Sequence, residues 1–251
     1  MQTIERVNAI LDCFTLERPE LGVREAARLL GLSTSTTGRM LAAMKELGIL
    51  TQNPTTHTYS LGGKVLKWAG VYSETLDVRA RAMPMLEELH RSTQETISLY
   101  VLEGDERVCV ERLESPQNVR IIARVGRRLP LYAGSAGKVF LAFLPEMRRE
   151  EIIRRTDFKP LTSNTIIDQK VLREELAKIR RQGYSLSKGE WLSDAAGIAA
   201  PIFEQSGVIM AAVTISGPAQ RFTEEKINQY IPEILHVGEQ ISRYLGYLGR
   251  Y

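Results

Sequence analysis

Through the first fifty residues the apolar positions recur at helical spacing. Ile4, Val7, Ile10 or Leu11 and Phe14 form one stripe, with Thr3 as its cap and Arg18-Pro19 as its exit. Ala26, Ala27, Leu29 and Leu30 form a second. Gly31-Leu32-Ser33 breaks it, and Met40, Leu41, Met44 and Leu47 form a third that stops at Gly48. Two helices joined by a short glycine-containing turn predict a helix-turn-helix. The stretch "GILTQNPTTHTYSLG" then alternates, turns at Asn53-Pro54-Thr55-Thr56 and returns through Tyr59 and Leu61. That is a hairpin with a polar tip, placed where a wing belongs.

From Gly63 the pattern is helical again, with Val65, Leu66, Trp68, Ala69, Val71 and Tyr72 on one stripe and Pro84 expected to end or kink it. An aromatic stalk needs a packing partner, and a second copy of the chain is the economical one, so a two-fold dimer is expected. Beyond residue 95 the period falls to two. "ETISLYVLEGDERVCVERLE" predicts a hairpin around Gly104-Asp105, "NVRIIARVG" another strand, and "YSLSKGE", "AGIAAPIFEQSG" and "VIMAAVTISGP" three more. Helices are expected at about 134–155, at 168–182 and after Thr223, where Pro232 should break or kink the last. Hairpins with helices on the sheet faces make an α+β fold with an antiparallel sheet.

Composition changes this picture little. Across 251 residues, 43% are hydrophobic, 25% are charged and the formal net charge is +3, so two globular domains are expected and a nucleic-acid partner is neither required nor excluded. The N-terminus has no basic, continuously apolar leader and no apolar run could span a membrane, which makes the cytoplasm the expected location. Cys13 and Cys109 are far apart and only three histidines are present, so neither a metal nor another cofactor is expected, and both thiols read as buried small hydrophobes.

Two stretches carry candidate chemistry. The third helix opens on "STSTTGR", a run of mediocre helix formers. One hydroxyl can cap, and the others suit phosphates and base edges, as does Arg39. In "LPLYAGSAGKVFLAF" two glycines and a lysine precede a helix. A P-loop would need glycine at Tyr132 and a hydroxyl at Val139; a nucleophile elbow would need glycine at Ala133. Both fail, leaving a Ser135–Lys138 hydrolase as the alternative to a helix start whose small side chains leave room for a ligand.

The order and spacing of "EAARLLGLSTSTTGRMLAAMKELGIL", "YSLGGKVLKWA", "VGRRLPLYAGSAGKVFLAFLP", "LREELAKIRRQGYSLSKGE", "GIAAPIF" and "ISGPAQRF" resemble IclR-type transcriptional regulators along essentially the full length. The resemblance implies a winged helix-turn-helix domain (1–62), a linker helix (63–82) and a GAF-like or profilin-like effector domain (83–251). It implies a homodimer or dimer of dimers that binds double-stranded operator DNA and regulates a catabolic operon, with repression as the default sign. Thr34, Ser35, Thr36, Thr37 and Arg39 then face DNA, with His57 near the wing tip. A small-molecule effector, an organic acid or aromatic metabolite, is expected against Ser135 and Ala136, with Ile121, Leu129, Ser187, Ala195, Gly197, Thr214 and Ser216 around it. Members that bind small keto acids carry an acid and cysteines at the positions aligned with Ser187 and Gly197, and their absence here points away from that class. The hydroxyls suit a carboxylate, while Leu129, Ile121, Ala195 and a void over Gly197 suit an apolar body.

Overall fold

The computed structural model describes every residue except Met1, Leu16, Leu76, Ile122, Ala123, Arg250 and Tyr251. The chain divides into two compact units, residues 1–75 and 76–251.

In the first unit, helices α1 (Gln2–Asp12), α2 (Val23–Leu30) and α3 (Thr34–Glu46) precede strands β1 (Leu50–Gln52) and β2 (Tyr59–Leu61) and helix α4 (Gly63–Thr75). Gly31 ends α2 in the left-handed conformation, at φ +64°, which glycine adopts without steric cost. Ile10, Leu21, Ala26, Leu41, Met44, Leu50 and Tyr59 form the core. Tyr59 holds more than the hairpin. Its amide and carbonyl both pair with Leu21, adding a bridge to the two-stranded wing. The stripe expected from Ile4 and Leu47 is not buried in this unit, because both side chains face outward. So do Leu66, Trp68 and Val71 on α4, while Tyr72 lies outside the described side chains.

In the second unit, helix α5 (Asp77–Thr93) leads into strands β3 (Thr96–Glu103), β4 (Glu106–Leu113) and β5 (Arg128–Pro130). Helices α6 (Ser135–Phe143), α7 (Glu146–Arg155) and α8 (Gln169–Gln182) follow, then strands β6 (Ser185–Lys188), β7 (Ala195–Phe203) and β8 (Ile209–Pro218), and helix α9 (Glu224–Tyr244). The sheet has six strands in the order β5-β4-β3-β8-β7-β6, with every pairing antiparallel.

Strand alternation sorts the side chains between two faces. Ile198, Ala200 and Ile202 with Val213 and Ile215 meet Leu86 and Leu89 of α5 and Ile234 and Ile241 of α9. Tyr100, Cys109, Ala199 and Ala212 point the other way, onto Val139 and Phe140 of α6 and onto Ile152, Leu172 and Leu176. The result is an α+β unit with helices on both faces of an antiparallel sheet.

Three expectations need correction. Of the two outcomes expected at Pro84 and Pro232, an end or a kink, the end is excluded, since α5 and α9 run through them. Each proline, and the residue four positions earlier whose carbonyl loses a donor (Ala80, Asn228), is solvent-exposed, so water can satisfy the freed carbonyl. The strand expected over 118–126 is absent among the described residues there, with Ile122 and Ala123 outside them; β5 begins at Arg128 instead. The boundary between compact units falls after Thr75, within the stretch expected as one linker helix.

Candidate DNA-reading helix and ligand cavity

Ser33 caps α3, its hydroxyl accepting from the Thr36 amide at 3.2 Å. Thr34, Ser35 and Arg39 are exposed and Thr36 is half-buried, so the first turn presents hydroxyls, helix-start amides and a guanidinium to solvent. Thr37 does not belong to that surface. It is fully buried, and its hydroxyl donates to the Ser33 carbonyl at 3.0 Å, because position 37 lies four and seven residues before the core positions Leu41 and Met44. A Thr37→Val variant is therefore expected to lose about 1 kcal/mol of stability and to bind DNA within about twofold of the parent. Denaturant unfolding beside fluorescence anisotropy would read both, and a large affinity loss at unchanged stability would place Thr37 on the DNA face instead. His57 is exposed in the wing turn at φ +57°. That turn is held by Asn53, whose side-chain oxygen accepts from the amides of Thr55 and Thr56.

All the effector-site positions expected in the second unit come together. Ile121, Leu129, Ser135, Ala136, Ser187, Ala195, Gly197, Thr214 and Ser216 line one cavity of about 620 Å³, a volume that includes its open mouth. Register explains why. Ser187 pairs with Gly197 and Gly197 with Ser216, and directly paired residues share a sheet face. Gly197 leaves no void, however: a Cβ there would lie 3.1 Å from the Ser135 hydroxyl, so the glycine admits the start of α6 onto the sheet. The hydroxyls of Thr214 and Ser216 reach the carbonyls of Ser98 and Thr96 at 3.4 Å, weak bonds along the β3–β8 pairing. The segment before Ile121 is tethered by Arg221, which grips Glu95 through two 2.6 Å bonds and donates to the Val119 carbonyl.

The start of α6 is built on buried charge. Glu190 accepts from the Gly134 amide at 3.0 Å and from Lys138 Nζ at 2.5 Å. Lys138 also donates to the Leu186 carbonyl and to Glu175, at 3.0 and 3.2 Å. A side chain that is 1% exposed thus has all three ammonium protons engaged. That removes the Ser135–Lys138 hydrolase, for an ammonium donating to a carbonyl and two carboxylates has no lone pair with which to take a serine proton. Cys109 is equally inert, its thiol pushed up to about 11 by burial.

The chain can now be placed among known proteins. Residues 3–54 match the IclR helix-turn-helix domain, and residues 71–243 match the domain described as bacterial transcriptional regulator IclR C-terminal. The chain belongs to the IclR family of transcriptional regulators. It is 34% identical over 246 residues to the HTH-type transcriptional regulator KipR of Bacillus subtilis, covering 98% of both chains. It is 31% identical to the HTH-type transcriptional repressor AllR of Escherichia coli, over 98% of this chain and 90% of the relative. Among solved structures, an IclR homologue from Microbacterium hydrocarbonoxydans, complexed with 4-hydroxybenzoate, superposes with a TM-score of 0.85 at 30% identity, over 97% of this chain and 98% of that one.

IclR-type motifs do not mark every residue at the cavity. Tyr100, Arg107 and Trp191, outside those motifs, line it as well and were missed, as was Arg127, which lies inside one of them. Tyr100 is a buried phenol raised to about 12 by desolvation, hence neutral. Arg107 stands over its ring at 5.6 Å. A signal for Arg107 was present: with Val108 and Val110 on one face of β4, alternation places Arg107 beside Cys109 on the opposite face, which is also buried. Trp191, alone in "KGEWLSD", gave no such signal.

Proposed function

We propose that this IclR-family regulator is a homodimeric repressor of a catabolic operon, acting in the cytoplasm, with units 1–62 and 83–251 as DNA head and effector domain and the intervening residues as linker. Its DNA face is Thr34, Ser35, Thr36, Arg39 and His57. Its effector is a small organic acid with an apolar or aromatic body, taken up in the cavity at the start of α6. The observation that carries this reading is the cavity's lining: apolar walls, hydroxyls, two arginines and, among the described residues, no acid. The 4-hydroxybenzoate held by a homologue and the repressor AllR support the ligand class and the sign. The exposed apolar side chains of α4, Trp68 and Val71 on one face and Leu66 on another, support dimerisation. The effector acts through different affinities for DNA-competent and DNA-incompetent arrangements of the dimer.

Fluorescence anisotropy on DNA from upstream of the protein's own gene and its neighbours, across a salt series, tests this. Affinity is expected to fall steeply with salt, and Arg39→Ala to cost about 1–3 kcal/mol with a shallower salt slope. Binding that ignores salt, or an Arg39→Ala variant that binds like the parent, would overturn the DNA face. Calorimetry with aromatic and hydroxy acids tests the effector class, which fails if only short keto acids or neutral compounds bind.

A further inference from the structure

Arg107 is a cation buried to 4% exposure that forms no ion pair among the described residues. Glu190 acts on it through space, but that carboxylate is committed to the Gly134 amide and to Lys138. Of the guanidinium nitrogens, Nη1 is tied down, donating to the carbonyls of Pro130 at 2.5 Å and Ala133 at 2.7 Å. Among the described residues neither Nε, which is cut off from solvent, nor Nη2 has a protein acceptor. In arginine the Nε proton and one Nη2 proton point the same way, forming the edge that a carboxylate grips through two parallel bonds. A buried N–H without a partner is costly, and a buried cation without a counter-charge more so. The free edge belongs to a residue that lines the cavity.

A second cation faces the same space. Arg127 lines the cavity from an exposed position, its guanidinium 4.8 Å over the ring of Trp191, and it repels the charge of Arg107. No acid among the described lining residues balances either one. One carboxylate would neutralise half of this pair. The walls beside the two charges are flat or apolar, with Tyr100, Trp191, Leu129 and Ile121.

We propose that the cavity takes an organic dianion with a planar body, a dicarboxylate, with one carboxylate on the Nε/Nη2 edge of Arg107 and the other turned to Arg127 beside Trp191. This rests on the cavity being the effector site. It goes further by assigning the ligand's charge, its two anchors and the order of importance between them. Arg107, enclosed, fixes the first carboxylate; Arg127, in high dielectric, discriminates diacid from monoacid.

The test is calorimetry on the full chain with terephthalate, benzoate, adipate and the neutral terephthalamide, repeated on Arg127→Gln and Arg107→Met. Terephthalate is expected to bind about tenfold or more tighter than benzoate, and terephthalamide not to bind. Arg127→Gln should bring terephthalate down to the benzoate level and leave benzoate unchanged. Arg107→Met should weaken both acids by about 10–100-fold. Because Arg107 lies under α6, circular dichroism checks that this variant folds, and the exposed Arg127→Gln keeps the test valid if it does not. Equal affinity of the parent protein for benzoate and terephthalate, or an Arg127→Gln protein that still binds terephthalate as tightly as the parent does, overturns the dianion. Binding of the neutral diamide with neither acid overturns the charge assignment while the effector site stands. Silence from every compound, charged or neutral, overturns the effector-site reading itself.

Discussion

A Lys138→Met variant is expected to lose about 3–5 kcal/mol of stability in the second unit, the cost of breaking a buried ion pair by removing one partner. Methionine keeps the apolar stem of the lysine and deletes only the ammonium. Glu190, with its side chain 8% exposed, then keeps a charge whose remaining hydrogen bond is to the Gly134 amide, and the Leu186 carbonyl loses its donor. Denaturant unfolding should show a lower midpoint at unchanged slope. Adding Glu190→Gln should recover part of the loss, since an amide oxygen can still accept from Gly134 while the stranded charge is gone. That coupling is the discriminating result. A double variant less stable than the parent by the full sum of the two single losses would mean that Lys138 and Glu190 act independently and that the pair does not hold the start of α6. Glu175, 23% exposed at its side chain, is the weaker partner and contributes less.

The same network shows what the sequence could and could not disclose. The helix-turn-helix, the wing and the 96–113 hairpin were legible because each is local: a periodic stripe, a turn and a return within a few residues. The Leu21–Tyr59 bridge was not, since it joins single residues far apart in the chain. Thr37 was misplaced by weighing its hydroxyl above its phase, although spacing to Leu41 and Met44 already put it inside. Pro84 and Pro232 were read as ends or kinks by a local rule; whether the helix continues depends on whether the orphaned carbonyl faces water, which is a tertiary fact. At the cavity, the family resemblance supplied the residues that share a sheet face with the start of α6. It could not supply Arg107, Tyr100 or Trp191, which stand outside the quoted motifs and meet the others through the β4–β5 pairing, the β3–β8 pairing and the loop after β6 respectively. Lys138 was visible as a residue but not as an ion pair, because Glu190 and Glu175 arrive from distant segments.

Gly137→Ala is the second large effect, and here two principles oppose each other. On propensity alone, alanine inside a helix is favoured over glycine by about 1 kcal/mol. Sterics point the other way. A Cβ at Gly137 would sit 2.4 Å from the Leu131 carbonyl oxygen and 2.3 Å from Arg107 Nη1. The carbonyl is backbone and cannot swing aside, and Nη1 is fixed by the bonds to Pro130 and Ala133. Overpacking of this kind costs about 1–3 kcal/mol and more where backbone must shift, so a net loss of about 2 kcal/mol is expected despite the helix preference. Gly70→Ala is the control. Gly70 lies exposed in α4 with open space around its Cβ position, and alanine there should be neutral or stabilising by about 0.5–1 kcal/mol. Thermal unfolding of both variants would separate the cases, and a Gly137→Ala protein as stable as Gly70→Ala would mean that α6 stands farther from Leu131. Gly134 tells the same story from the other side: at φ +83°, with a Cβ position 3.0 Å from Arg107 Nη2, it also makes way for the guanidinium. The small residues of "AGSAGK" are thus explained by what they enclose. They let a helix start close over a buried arginine that lines the cavity.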